Sequence, residues 1–91
     1  MGEVVTIDCA EIKTREELHE ALSSALGFPD WYGRNLDALY DLLTENDTAL
    51  ELRFLHFSAL ESSLGSYARR LVRVLRDAEE ERFHLFVRIE A

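Results

Sequence analysis

The sequence predicts an α/β fold in two layers: a three-stranded parallel sheet with about four helices mainly on one face, forming a single domain over residues 1–91. Three observations predict it. The hydrophobic patterns run strand, helix, helix, strand, helix, helix, strand, so every pair of strands is separated by the helical crossover that parallel pairing requires, and each crossover is expected to be right-handed. The second and third strands alternate apolar and polar residues, whereas a sheet covered on both faces reads as solid apolar runs; one face is therefore expected to be at least partly wet. Finally, 91 residues of which 47% are hydrophobic suit one small folded domain, burying roughly 60–65% of the surface its unfolded chain exposes.

The elements follow in order. Val4-Val5-Thr6-Ile7 is a β-branched run and reads as the first strand. Thr14 and Glu17 have capping-box spacing, and Leu18, Ala21, Leu22, Ala25 and Leu26 then recur at helical intervals until Gly27, a C-terminal stop. Pro29 restricts Phe28 to extended backbone, so Phe28-Pro29-Asp30 is a turn. Gly33 keeps the chain irregular up to Asn35, the expected N-cap of a second helix over 36–45. Leu36, Leu39 and Leu43 share its inner face, while Asp37, Asp41 and Thr44 fall on another, with Tyr40 at the border. Glu45-Asn46-Asp47-Thr48 reads as a polar turn. Leu50, Leu52 and Phe54 alternate with Glu51 and Arg53 as the second strand. Ser58 and Glu61 have capping-box spacing for a short third helix stopped by Gly65. A fourth helix runs from Tyr67 to Glu81 with Tyr67, Leu71, Val74, Leu75 and Ala78 inward. Phe83, Leu85, Val87 and Ile89 alternate with His84, Phe86 and Arg88 as the third strand.

Composition narrows the function. The net charge is −8, and residues 28–51 contribute six acids (Asp30, Asp37, Asp41, Glu45, Asp47, Glu51) against one base, Arg34. Such a field disfavours nucleic acid and anionic membranes as direct partners and speeds association with a cationic one. No apolar run approaches the ~20 residues of a membrane span. The first residues lack the basic and apolar regions of a signal peptide, and Gly2 with Thr6 matches a myristoylation motif only loosely. Cys9 stands alone, which excludes an internal disulfide and suits a reducing cytoplasm; it is expected to be a small, partly buried hydrophobe.

Motifs for catalysis and metal binding are absent. His19, His56 and His84 are scattered, and no Cys or His pair has metal-ligand spacing, so no cofactor or metal is expected. There is no Gly-rich phosphate loop and no nucleophile elbow around any serine. Asp37 and Asp41 as an acid/base pair would need two different environments, but on one convex helix face they share the same water. Arg69, Arg70, Arg73 and Arg76 form the one basic cluster, read as a solvated face with Arg73–Asp77 and Arg76–Glu80 pairs.

Asp37 and Asp41 are one turn apart, and like charges at that spacing weaken an isolated helix by a few tenths of a kcal/mol. Beside Trp31 and Tyr32 they suggest a surface for something positively charged. From the residues alone, Asp37 also suits the helix dipole, Asp41 a solvated face, and the aromatic pair a satellite core in which Tyr32 is the buried member.

Residues 31–44, Trp31-Tyr32-Gly33-Arg34-Asn35-Leu36-Asp37-Ala38-Leu39-Tyr40-Asp41-Leu42-Leu43-Thr44, resemble the signature of the barstar family of ribonuclease inhibitors: an aromatic pair, glycine, any residue, then Asn-Leu-Asp-Ala-Leu-aromatic-Asp. Agreement extends more weakly through Leu18-His19 and through Val74-Leu75-Arg76-Asp77-Ala78. The resemblance implies an intracellular inhibitor that plugs the active site of a secreted basic ribonuclease, barnase-like or of another microbial guanyl-specific type, in a one-to-one complex. It implies that Asp41 takes the place of a substrate phosphate, that Asp37 meets further cationic or backbone donors, and that Trp31, where the family has tyrosine, packs on the catalytic histidine. Ala38, Tyr40 and Thr44 would supply close contacts and rim, Asp77 (glutamate in the family) would reach a peripheral base, and Gly33, Asn35 and Glu45 complete the expected surface. Glu45-Asn46 stand where the family has Gly-Trp, and Arg34 where it has glutamate, which places a positive charge beside the acidic face. A different class of function, an acidic regulatory domain for a non-nuclease cationic protein, shares the acid pattern but not the resemblance.

Overall fold

The computed structural model describes residues 2–45 and 48–91. The elements are β1 (Glu3–Asp8), α1 (Arg15–Leu26), α2 (Leu36–Glu45), β2 (Leu50–Leu55), α3 (Phe57–Leu64), α4 (Ser66–Glu81) and β3 (Leu85–Ile89). The sheet is parallel in the order β1-β2-β3, with Val5 opposite Leu52 and Leu52 opposite Val87. That register puts Val5, Ile7, Leu50, Leu52, Phe54, Leu85 and Val87 on one buried face beneath the helices. Val4, Thr6, Phe86 and Arg88 are exposed on the other. The two-layer α/β architecture is thus the expected one, and the alternation in β2 and β3 has its physical cause in a sheet dry on one side only.

Local chemistry sets the helix ends where its partners are local. Thr14 and Glu17 form the expected capping box at α1: the Glu17 N–H donates to Oγ1 of Thr14 at 3.1 Å, and the Thr14 N–H donates to the Glu17 carboxylate at 3.1 Å. Gly27 closes α1 in the left-handed region, φ 67°, which costs glycine nothing. Cys9 directly follows β1 and is fully buried, not partly; burial pushes its thiol up to about 11, so it is an inert packing residue.

Several expectations need correction. Ser58 and Glu61 do not cap α3: β2 runs to Leu55, His56 turns the chain at φ 57°, and the helix starts at Phe57 with no side-chain cap. The Phe57 N–H is taken by the Glu90 carbonyl at 2.8 Å, and Phe57 and Leu60 are buried, so Ser58 lies inside the helix on its exposed side. α4 starts one residue early, at Ser66. Phe83 does not belong to β3; it is 85% exposed, because Arg82 before it turns inward. The Arg82 guanidinium donates to the carbonyl of Leu43, at 2.9 Å, and to that of Thr48, a cation placed at the C-terminal end of α2 where the dipole favours it. Arg76 pairs with Glu79, not Glu80. Arg76 also donates to the Val87 carbonyl at 3.0 Å while Glu79 accepts the Val87 N–H at 2.6 Å, so these side chains occupy backbone groups along the edge strand β3. Arg73 and Asp77 make no ion pair within 4.0 Å. Of the polar turn over 45–48, Asn46 and Asp47 lie outside the described residues.

Candidate functional site

The turn before α2 is organised by hydrogen bonds. The Tyr32 N–H donates to the Pro29 carbonyl at 3.0 Å, and the rings of Phe28 and Tyr32 lie 4.7 Å apart. The Tyr32 phenol is buried and sits 2.6 Å from Nδ1 of His19, whose Nε2 is 2.7 Å from the phenol of Tyr67. His19 is itself buried and so links α1, the turn and α4. Burial, together with the Arg34 charge, holds its imidazole below the ordinary value, and burial raises both phenols. The expected inward role of Tyr32 is met. The network as a whole was not expected, since its members lie 13 and 48 residues apart in the chain.

Trp31 points the other way and is 73% exposed. The residue that takes the left-handed backbone here is Arg34, at φ 55°, not Gly33. Gly33 is small for a different reason: a Cβ there would stand 3.2 Å from the Ala38 Cβ and 3.3 Å from Nδ2 of Asn35. That close approach lets Asn35 act as the N-cap. The Ala38 N–H donates to Oδ1 of Asn35 at 2.7 Å, Nδ2 donates to the Gly33 carbonyl at 3.2 Å, and the Leu39 N–H donates to the Asn35 carbonyl at 3.0 Å.

Along α2, Leu36, Leu39 and Leu43 are buried, and Asp37, Asp41 and Glu45 are exposed. Ala38, Tyr40 and Thr44 lie between these faces. Oγ1 of Thr44 donates to the Tyr40 carbonyl at 2.8 Å, which fixes its rotamer. Among the described residues the side chains of Asp37 and Asp41 have no hydrogen bond or ion pair. Arg34 lies beside the Asp37 end of this face, lining one pocket with it, and its guanidinium pairs with Glu20 of α1 at 2.8 Å, which offsets its charge.

Tyr40 shows how far the acidic surface extends. Its phenol is raised first by desolvation and then by the negative charges of Glu81, Asp77 and Asp41. The charges of Asp77 and Glu81 on α4 and of Asp41 on α2 thus all act on the Tyr40 phenol. Asp77 is among the residues of the expected surface; Glu81, whose charge reaches the same phenol, is not. Its signal was the i,i+4 spacing from Asp77, which puts both on one helix face, but only the packing of α4 shows that this face adjoins α2.

Among the described residues no group of three His, Cys, Asp or Glu could hold a metal ion, and no helix is long and apolar enough to cross a membrane. What the arrangement offers is carboxylates without partners among the described residues, one turn apart on a capped helix, with an exposed indole in the turn that leads into it.

Comparison with known proteins agrees with the motif. The family model described as "Barstar (barnase inhibitor)" matches residues 2–90. A protein of Bacillus subtilis (strain 168), named "Putative ribonuclease inhibitor YrdF", is 44% identical over 78 residues, covering 85% of this chain and 86% of the relative.

Proposed function

The chain belongs to the barstar family, and from that premise we propose that it is an inhibitor of a basic ribonuclease, acting in the cytoplasm of the cell that secretes the enzyme. Family and relative both point to an inhibitor rather than an enzyme. The partner in this reading is barnase-like or another microbial guanyl-specific ribonuclease, bound one to one. The contact surface is Trp31, Gly33, Asn35, Asp37, Ala38, Tyr40, Asp41, Thr44 and Glu45, with Asp77 at the edge.

The observation that carries the proposal is the state of Asp37 and Asp41: exposed, without side-chain partners among the described residues, and one turn apart on a helix whose start is fixed by Asn35. A site that cleaves RNA concentrates donors and positive charge where phosphate sits. Carboxylates on a preformed helix meet that charge with little ordering cost, and Asp, having fewer rotors than Glu, loses less on binding. Trp31 adds a large rigid surface with two side-chain torsions. In the complex Asp41 takes the phosphate position and Asp37 the neighbouring donors. Such pairs are strong only when each desolvated charge is fully bonded, which is why a rigid helix suits the task. Charge-steered association speeds such an encounter, and the loss on removing Asp41 is expected to reach the general hot-spot threshold.

The test is inhibition of RNA cleavage by a panel of secreted basic microbial ribonucleases. Stoichiometric inhibition of at least one member is expected. Inhibition of none, with capture of a basic partner that has no nuclease activity, would assign the chain to regulation of a different protein.

A further inference from the structure

At the N-terminal end of the acidic helix the charge changes sign. Arg15 of α1 and Arg70 of α4 both lie against the ring of Tyr67, their guanidinium carbons 4.3 and 5.5 Å from its centroid. The Tyr67 phenol is tied to buried His19 at 2.7 Å, so the ring is a fixed platform on which cations rest by cation–π attraction. Together with Glu16, Arg34 and Asp37 these residues line a pocket of about 440 Å³. Arg34 is taken by Glu20. Arg15 and Arg70 are exposed and have no carboxylate within 4.0 Å among the described residues.

We propose that this pocket receives one carboxylate, from an Asp or Glu at the rim of the ribonuclease's active site. The inference rests on the inhibitor reading above and deepens it by naming the partner's charge pattern. Asp37 belongs both to the pocket wall and to the acidic face, so an enzyme laid on α2 approaches the pocket mouth and strips water from the guanidinia. A desolvated, unpaired guanidinium is costly, and a carboxylate is its geometric match, since a planar guanidinium bonds two oxygens at once. Counting charge narrows the ligand further. With Arg34 offset by Glu20, two guanidinia face two wall carboxylates, Glu16 and Asp37. When the cationic site of the enzyme engages Asp37, one positive charge is left over, which suits a single carboxylate and not a dianionic phosphate. The partner is thus read as a cationic site flanked by an acid, the mirror of an acidic helix flanked by two arginines.

The test compares dissociation constants for the ribonuclease that the wild-type protein inhibits. Removing two cations from a chain of net charge −8 strengthens its long-range attraction to a basic enzyme, so field effects alone predict equal or tighter binding by the double variant Arg15→Ala/Arg70→Ala. The pocket predicts the opposite, a Kd raised tenfold or more, with a single cooperative unfolding transition and wild-type circular dichroism showing that the fold is kept. Arg70→Glu is expected to weaken binding further, and Lys in place of one rim acid of the enzyme to restore part of the loss. A double variant that binds within twofold of wild type, or more tightly, while Asp41→Ala weakens binding, overturns the pocket assignment and leaves the inhibitor reading standing. A wild-type protein that inhibits no ribonuclease of the panel overturns both.

Discussion

Trp31 and Tyr32 are neighbours in the chain with opposite fates: Tyr32 is 5% exposed with its phenol 2.6 Å from His19, and Trp31 is 73% exposed. Tyr32 anchors the turn, and Trp31 before it stands in solvent. Replacing Tyr32 with Phe removes the bond to His19 and leaves a buried ring nitrogen without its partner, which costs about 1–3 kcal/mol. Trp31→Ala, in water on both sides of folding, should change stability by less than about 0.5 kcal/mol and weaken binding instead. Urea unfolding of the two variants, with their Kd values, separates the roles. Equal destabilisation by both would contradict the division.

The same buried imidazole makes stability depend on pH. His19 has an ordinary value of 6.5 and is held lower in the folded protein. Above 6.5 both folded and unfolded chains carry it neutral, and the network is fully stabilising. As pH falls below 6.5 the unfolded chain takes up a proton that the folded chain resists, so stability declines from there down to the folded value and then levels. The depressed carboxyls of Asp8 and Glu90 add a separate loss at lower pH, below their ordinary values of 3.8 and 4.5. Unfolding curves between pH 8 and 5 should show the first decline in the wild type and not in His19→Gln, measured relative to each protein at pH 8. A decline of the same size in both would assign it to other groups.

Asn35 is the hinge between turn and helix. Asn35→Ala removes the acceptor for the Ala38 N–H and should cost about 1 kcal/mol of stability. Asn35→Asp keeps an acceptor but loses the Nδ2 donor to the Gly33 carbonyl, so it should recover most of the stability. Denaturation midpoints of the three proteins decide this. An Asp variant no better than Ala would show that the bond to Gly33, not the cap, holds the turn.

How much of this was legible in the sequence depended on how local each feature is. The Thr14–Glu17 box, the Gly27 stop and the Asn35 cap are set by partners within four residues, and all three stand where the sequence puts them. The parallel sheet was legible from element order, and its one wet face from the alternation in β2 and β3. Ser58 misled because its capping spacing competes with burial of Phe57 and Leu60, and burial wins. Phe83 misled because the alternation was extended back through a residue whose neighbour, Arg82, has a stronger claim on the interior through two carbonyls. The His19 network, the approach of Glu81 to Tyr40 and the Arg34–Glu20 pair all cross between elements, and no spacing rule encodes them.

The most direct measurement is the calorimetric Kd for an inhibited basic ribonuclease with wild-type protein and with Asp41→Ala, beside their unfolding free energies. Loss of about 2 kcal/mol or more of binding, with stability unchanged within about 0.5 kcal/mol, is the predicted result. Retention of full affinity by Asp41→Ala would contradict the placing of this carboxylate at the enzyme's phosphate site.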